Sequence, residues 1–126
     1  LVVHARAYRE AAGLDAAHAL LAAALPFTAI VTANDLLALG CLDALKEVRM
    51  DCPRDVSITG FNDIPFLERA VPALTTVRIA HYRMGAQAAD YILALARDED
   101  VPVRKILLEP ELVIRTSTAP PPVGSV

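Results

Sequence analysis

Two short apolar runs in this chain are each followed at once by an Asn-Asp pair. Residues 28–33 precede the pair at 34–35, and residues 56–61 precede the pair at 62–63. The carboxyl ends of the strands in an open parallel sheet face the crevice in which ligands bind. We therefore expect the two pairs to lie side by side at one rim. Their amides and carboxylates suit a neutral ligand that is rich in hydroxyl groups.

Apolar residues recur along the chain with the spacing of helices in some segments and the character of strands in others. The pattern predicts helices at 13–24, 35–48 and 82–97, a short helix within 63–70, strands at 1–3, 28–33, 56–61 and 75–77, and a strand pair or one bent strand at 105–108 and 111–115. Such alternation is typical of an α/β fold with a mainly parallel sheet flanked by helices. The Pro-rich residues 121–126 have little to bury and are predicted to form a disordered tail.

The charge of the chain argues against direct contact with nucleic acid. Its 126 residues carry a net charge of −3, and Arg and Lys are scattered among acids, whereas a surface that binds nucleic acid usually shows a basic patch. No apolar run approaches the roughly 20 residues that cross a bilayer, so no membrane partner is predicted. Cys41 and Cys52 lack partners at metal-ligand spacing, which predicts free thiols, no metal and no cofactor.

No catalytic motif accounts for the chain. It contains no Gly-x-Ser-x-Gly elbow, no Gly-rich phosphate loop and no paired metal ligands. The histidines have only tyrosine hydroxyls near them in sequence, although a catalytic triad can assemble from residues that are distant in sequence. We therefore expect a protein that is not an enzyme.

The helix predicted at 35–48 is apolar nearly all round. Leu37, Cys41 and Leu45 lie on one face, while Leu39 and Leu42 lie on another. A helix of this kind is buried on more than one side. Either one side is an interface between subunits, or the helix is simply the deep central helix of the domain.

Three motifs together resemble one known family. They are Ala33-Asn34-Asp35-x-x-Ala38-Leu39-Gly40, Val56-Ser57-Ile58-x-Gly60-Phe61-x-Asp63-Ile64-Pro65 and Pro72-x-Leu74-Thr75-Thr76-Val77-Arg78. In this order and spacing they are similar to the effector-binding domain of the lactose/galactose repressor (LacI/GalR) family of bacterial transcription regulators, over about residues 8–120. The resemblance implies a periplasmic-binding-protein-like fold of type I, mostly its C-terminal lobe.

The resemblance also implies a domain organisation. Residues 1–120 are expected to form part of an effector-binding domain, with residues 81–105 packing toward a first lobe that lies upstream. DNA binding is expected only through an N-terminal headpiece, also upstream. The chain begins Leu-Val-Val-His without an initiator Met, and we interpret it as a piece of a longer, cytoplasmic protein.

Asn34 and Asn62 each have a structural and a functional interpretation. Asn34 is a good helix N-cap, and Asn62 suits a turn because Asn tolerates left-handed backbone geometry. The resemblance implies that both contact an effector. The family usually has Asp where this chain has Asn62, so a charge-assisted acceptor is lost. We infer either weaker sugar binding or a different effector, with a less polar or an anionic ligand becoming more plausible.

Three further residues join the predicted effector site through the resemblance. Asp63 matches a family Asp that more often supports the loop than touches the ligand. Tyr8 lies in a loop that often places an aromatic ring against the effector, although a partly exposed aromatic residue is normal in any protein. His81 either faces the ligand or caps the helix that follows it. The family often has Gln two residues earlier, where this chain has Ile79.

The resemblance predicts a homodimer as well. The family dimerises through the helix that corresponds to 35–48 and through the segment near residue 66. We therefore predict that the following residues contact a second copy: Leu39, Leu42, Leu45, Phe66 and Leu67.

The function that these observations imply is the sensing of a small sugar-like effector that allosterically controls operator binding. The alternative is the sugar-binding protein of an ABC-type transporter, which shares the fold and the Asn-Asp strand ends. The segment at 72–78 favours the regulator, because it matches the regulator family.

Overall fold

The computed structural model describes residues 1–97, 99, 102 and 105–121. Its helices are α1 (Glu10–Ala22), α2 (Asp35–Glu47) and α3 (His81–Ala96), with a short 3-10 helix at Leu67–Arg69. Its strands are β1 (Ala29–Val31), β2 (Ser57–Thr59), β3 (Thr76–Arg78) and β4 (Glu111–Val113). The expected tail at 121–126 lies outside the described residues except for Pro121.

The strands form two pairs that are joined side by side. β1 and β2 are parallel, with Ile30 opposite Ile58, and β3 and β4 are antiparallel, with Val77 opposite Leu112. Single parallel bridges from Thr59 to Thr75 and from Asn62 to Arg78 join β2 to β3. The predicted α/β class with a mainly parallel sheet is confirmed, and β4 adds an antiparallel edge.

Two predicted strands are absent from the segments where they were expected. Residues 1–3 and residues 105–108 adopt no strand conformation, and β4 covers only part of the predicted 111–115 run. A strand requires hydrogen bonds to a neighbouring ladder, and a β-branched or alternating run expresses only a preference for one. The sequence prediction was wrong here because it did not test for a pairing partner.

The core lies between the sheet and the pair formed by α1 and α2. Leu45, Val56, Ile58 and Leu74 are almost fully buried in it. Both central strands bury their middle residue, Ile30 in β1 and Ile58 in β2. Burying side chains of this size stabilises the fold by about 1.5–3 kcal/mol each.

Helix α2 is the central helix of the chain. Its buried residues are Asp35, Leu37, Ala38, Gly40, Cys41, Leu42, Ala44 and Leu45. Most of its apolar residues are therefore buried in the core of this chain. Helix α2 is thus the deep central helix of this chain, and the subunit interface stays a prediction. Leu36 and Leu39 remain partly exposed, with Leu39 packed against the core.

Three of the five predicted dimer contacts are corrected by this packing. Leu42, Leu45 and Leu67 are only 3%, 1% and 2% exposed within one chain. They have almost no surface left to bury against a second copy. Leu39 is partly exposed and Phe66 is 64% exposed, so the predicted dimer contact is narrowed to these two residues.

Helix α3 differs from the other two because it buries none of its residues. Its apolar side, which includes Met84, Ile92 and Leu95, is about half exposed or more. Amphipathic helices normally bury this side. Across the part of the chain that the structure describes, no helix combines the length and apolar character needed to span a membrane.

Both cysteines are free thiols, as the sequence predicted. Burial raises the pKa of Cys41 to about 11, which keeps its thiol protonated near neutral pH. Burial also raises the pKa of Cys52, and a hydrogen bond to the backbone of Ile58 opposes this effect.

The contact between α1 and α2 depends on two glycines. A Cβ atom at Gly40 would collide with the backbone carbonyl of Glu10, and one at Gly13 would collide with that of Leu37. Because the obstacles are backbone atoms, neither collision can be relieved by rotating a side chain. By contrast, a Cβ at Gly85 in α3 meets nothing within 4 Å in the described part of the chain.

We predict that Gly40→Ala lowers the free energy of unfolding by about 1–3 kcal/mol, because the added methyl group forces α1 away from α2. Gly85→Ala is the matched control. It should raise stability by about 0.5–1 kcal/mol, since alanine is the better helix former. Urea unfolding of both variants checks the pair, and equal effects on stability would contradict the close-packing argument.

Candidate functional site

The two Asn-Asp pairs are neighbours at the carboxyl ends of β1 and β2. The backbone N–H of Asp35 donates to the carbonyl of Phe61 at 3.0 Å, and the N–H of Thr32 donates to that of Thr59 at 3.1 Å. These bonds bring the residues after β1 directly against those after β2. The rim predicted from the sequence is therefore present.

Asn34 is the N-cap of α2. Its Oδ1 accepts from the backbone N–H of Leu37 at 2.9 Å, and its extended backbone has φ of −158°. The capping interpretation is confirmed. The amide nitrogen makes no hydrogen bond within the described residues, so a ligand can still use it as a donor. Capping and ligand contact are thus compatible, because they use different atoms.

Asn62 occupies a left-handed turn, as its structural interpretation predicted. Its φ is +118°, and Asp63 follows with φ of +57°. The backbone N–H of Asn62 donates to the carbonyl of Val77 at 2.9 Å, which fixes this residue beside β3. The side-chain amide has no partner among the described residues, so both its donor and its acceptor remain available.

His81 lies beside Asn62 at the start of α3. Its Nε2 is 3.3 Å from the backbone carbonyl oxygen of Asn62. The N-cap of α3 is Ala80, and no side chain caps that helix. The capping interpretation of His81 is wrong, because the imidazole turns toward the 62–63 loop instead. The structure thus brings Asn62 and His81 together.

Asp63 is held by two arginines that come from distant parts of the chain. Its Oδ1 accepts from Nη2 of Arg115 and its Oδ2 accepts from Nε of Arg78, each at 2.7 Å. The Asp63 side chain is only 8% exposed. Its contacts support the loop-supporting role and not the predicted effector contact, because both oxygens are already engaged.

The pKa of Asp63 reflects this environment. Burial alone raises it, but hydrogen bonds from Arg115 and Arg78, together with their positive charge, outweigh burial and leave the pKa below its usual value. Arg115 also donates to the carbonyl of Leu74 at 2.8 Å. Arg78 reaches Glu111 at 2.9 Å and so ties β3 to β4.

Sequence reasoning missed Arg115 and Asp35. Arg115 follows an alternating run, where a charge is normally read as solvent-facing, and no local pattern links it to residue 63. Asp35 is fully buried, whereas the sequence predicted that its carboxylate faces a ligand at the rim. Its burial has one local signal: Asp follows the N-cap of an otherwise apolar helix, where the first exposed N–H groups favour an acid.

Tyr8 lies apart from this rim. It is 72% exposed and lines a mostly apolar cavity of about 800 Å³ between residues 1–8, α1 and β1. The cavity reaches Thr32 and Ala33, but its lining includes neither Asn62 nor His81. The polar groups that can select a ligand are at the rim, so we place the candidate site there.

This geometry defines a class of protein. Amides at the carboxyl ends of adjacent parallel strands, together with helices against the sheet, are the features of a ligand-binding lobe. The family model described as periplasmic binding protein-like domain matches residues 1–118. The chain belongs to the periplasmic binding protein-like family.

Within this family, the relatives of the chain are LacI/GalR-type transcription regulators. The HTH-type transcriptional regulator MalR of Streptomyces coelicolor is 40% identical over 95 residues, which cover 75% of this chain and 28% of that protein. This confirms the resemblance that the three motifs indicated. The chain spans about a quarter to a third of the length of the curated relatives it matches.

Solved structures agree with this assignment. A LacI family regulator from Enterococcus faecium with bound ribose has a TM-score of 0.82 and 28% identity, covering 90% of this chain and 41% of that one. The lac repressor dimer bound to operator and the anti-inducer ONPF has a TM-score of 0.79 and 28% identity, covering 87% and 38%. The fold is therefore that of part of a LacI-family effector domain.

We predict that Asp63→Asn destabilises the protein at neutral pH by about 1–3 kcal/mol, because charge-assisted hydrogen bonds to two arginines are weakened. The pKa of Asp63 is lower in the folded chain than in the unfolded one. Its contribution is thus complete above the unfolded value of about 4 and is lost as pH falls through the folded value.

Unfolding free energies measured between about pH 7 and pH 3 check the prediction. The gap between wild type and Asp63→Asn should be constant near neutral pH and should shrink in acid. Asp15→Asn, an exposed change on α1, should show no such gap. A gap that widened on acidification would contradict the ion-pair argument.

Proposed function

We propose that this chain is the effector-sensing and dimerising part of a bacterial DNA-binding transcription regulator. The observation that carries the proposal is the rim formed by Asn34, Asn62 and His81 at neighbouring strand ends. Three groups there can bind a ligand: the Asn34 amide nitrogen, the Asn62 side-chain amide and Nδ1 of His81, whose Nε2 lies against the Asn62 carbonyl. The relatives are transcription regulators, which favours this function over a transporter's sugar-binding protein and over an enzyme.

The effector is a small sugar-like molecule. Amides and imidazole both donate and accept hydrogen bonds, as hydroxyl groups do. The two rim carboxylates are withdrawn from ligand binding, because Asp35 is buried and Asp63 is bound by arginines. A cationic ligand would therefore find no free carboxylate at these positions. The ribose bound by the E. faecium regulator supports the sugar class.

The mechanism is allosteric. The effector binds between this lobe and a first lobe upstream, and its higher affinity for one lobe arrangement shifts the protein between states that do and do not bind operator. The apolar side of α3, with Met84, Ile92 and Leu95, packs toward the first lobe, while part of the segment expected to do so, at 98–104, lies outside the described residues. Its exposure in this chain supports that arrangement.

The dimer forms through the outer side of α2 and the segment after the 62–63 loop. Phe66 is 64% exposed and Leu39 is partly exposed, so each has apolar surface left to bury against a second copy. The lac repressor, with the same fold, is a dimer on its operator. DNA contact belongs to an N-terminal headpiece, and a protein that acts on DNA in this way works in the cytoplasm.

The effector is tested on the full-length regulator by thermal-shift screening of neutral sugars, sugar phosphates and nucleosides. A compound at a hundred times its dissociation constant should stabilise the protein by about 2.7 kcal/mol. A neutral sugar is the expected hit. Binding of phosphates or nucleosides alone would contradict the sugar assignment and leave a ligand-sensing domain.

The site assignment predicts that Asn62→Ala weakens binding of the hit by about five- to tenfold, because a hydrogen bond to a ligand is worth about 1–1.5 kcal/mol. Calorimetric titration measures the loss. Asp15→Ala, an exposed change on α1, is the control and should keep full affinity. If the Asn62→Ala protein bound the compound as tightly as wild type, the assignment of Asn62 to the effector site would be wrong.

A further inference from the structure

Asp35 is a buried carboxylate whose role is not explained by helix capping. It is fully inaccessible to solvent, and no Arg, Lys or His of the described residues forms an ion pair with it. A buried charge without an ionic partner is costly unless hydrogen bonds compensate. The groups that donate hydrogen bonds to Asp35 therefore show which parts of the fold it stabilises.

The two carboxylate oxygens bond to different elements. Oδ1 accepts from the Thr76 hydroxyl of β3 at 2.5 Å, and Oδ2 accepts from the backbone N–H of Ile64 at 2.9 Å. The Asp35 backbone N–H bonds to Phe61 at the end of β2. One residue at the start of α2 thereby fixes β2, β3 and the loop beyond β2.

That loop is strained. Asn62, Asp63 and Phe66 all have positive φ values of 118°, 57° and 74°, although none is glycine. Such conformations cost free energy and persist only where the surroundings over-determine them. Two carboxylates fix the loop here. Asp63 forms ion pairs with two arginines, and the buried Asp35 accepts a hydrogen bond from the backbone N–H of Ile64.

The strained loop connects the two surfaces that the proposed function uses. Asn62 and His81 lie at its beginning, and the exposed Phe66 lies four residues further on. Asn34, at the same rim, is the residue that precedes Asp35. A ligand that moves Asn62 would therefore act on a segment whose far end is the proposed dimer contact, and one that moves Asn34 would act on it through Asp35.

We propose that Asp35 is a positioning residue that joins the effector rim to the Phe66 segment. It touches neither ligand nor partner and acts through Ile64 and Thr76. This inference rests on the proposed function for the identity of the two surfaces. Asparagine cannot replace it, because an amide has one acceptor oxygen and its NH₂ group would face a donor.

The test uses the full-length protein without any effector. Hydrogen exchange is measured for peptides covering 61–70 and for reference peptides in α1 and β4, and the dimer dissociation constant is measured by sedimentation. Asp35→Asn is compared with Thr76→Val, which removes one donor at nearly constant volume, and with Thr76→Ser, which keeps it. The Thr76 pair remains informative if Asp35→Asn does not fold.

We expect Asp35→Asn and Thr76→Val to raise exchange in 61–70 by about tenfold or more, while α1 and β4 stay unchanged. The dimer dissociation constant should rise about fivefold or more. Thr76→Ser should restore wild-type values. A merely structural role would raise exchange in all peptides together, and that result overturns the proposal.

Unchanged exchange in 61–70 and an unchanged dimer in the folded variants would also overturn it. If the wild-type protein is monomeric throughout, the dimer of the proposed function fails. The proposed coupling then fails with it, even if exchange shows that Asp35 holds the loop. The two readouts thus separate an error about Asp35 from an error about the dimer.

Discussion

The carboxylate of Asp35 is the contact on which the arrangement at the sheet's carboxyl end depends. It receives hydrogen bonds from β3 and from the loop after β2, while its own backbone bonds to the end of β2. Gly60 is part of the same arrangement, because a Cβ atom there would collide with Oδ1 of Asp35. The buried carboxylate of Asp35 and the absence of a side chain at Gly60 together allow α2 to start directly against the sheet.

The remaining acid at the rim is used in an equally structural way. Asp63 bonds to Arg78 at the end of β3 and to Arg115 just after β4, and these contacts join the loop after β2 to the antiparallel edge of the sheet. Since both acids are engaged, the proposed site leaves ligand recognition to Asn34, Asn62 and His81. A rim built from neutral hydrogen-bonding groups over a network of satisfied charges is well suited to hydroxyl-rich ligands.

The sequence predicted the helices well and the strands less well. Helix periodicity is local, so α2 and α3 begin within one residue of their predicted starts. α1 begins three residues earlier than predicted, because its first turn, Glu10-Ala11-Ala12, has no large apolar side chain that would extend the pattern. The strands expected at 1–3 and 105–108 were wrong because strand formation depends on a partner that is remote in sequence.

The sequence by itself determined the class of fold, the central helix and the adjacency of the two Asn-Asp pairs. Each follows from local periodicity and from the direction of parallel strands. Only the tertiary structure decided that Asp63 is bound by Arg115, 52 positions away, and that Leu42, Leu45 and Leu67 are covered by their own chain. Burial and ion pairing depend on tertiary contacts between residues that are distant in sequence, and no local sequence pattern specifies those contacts.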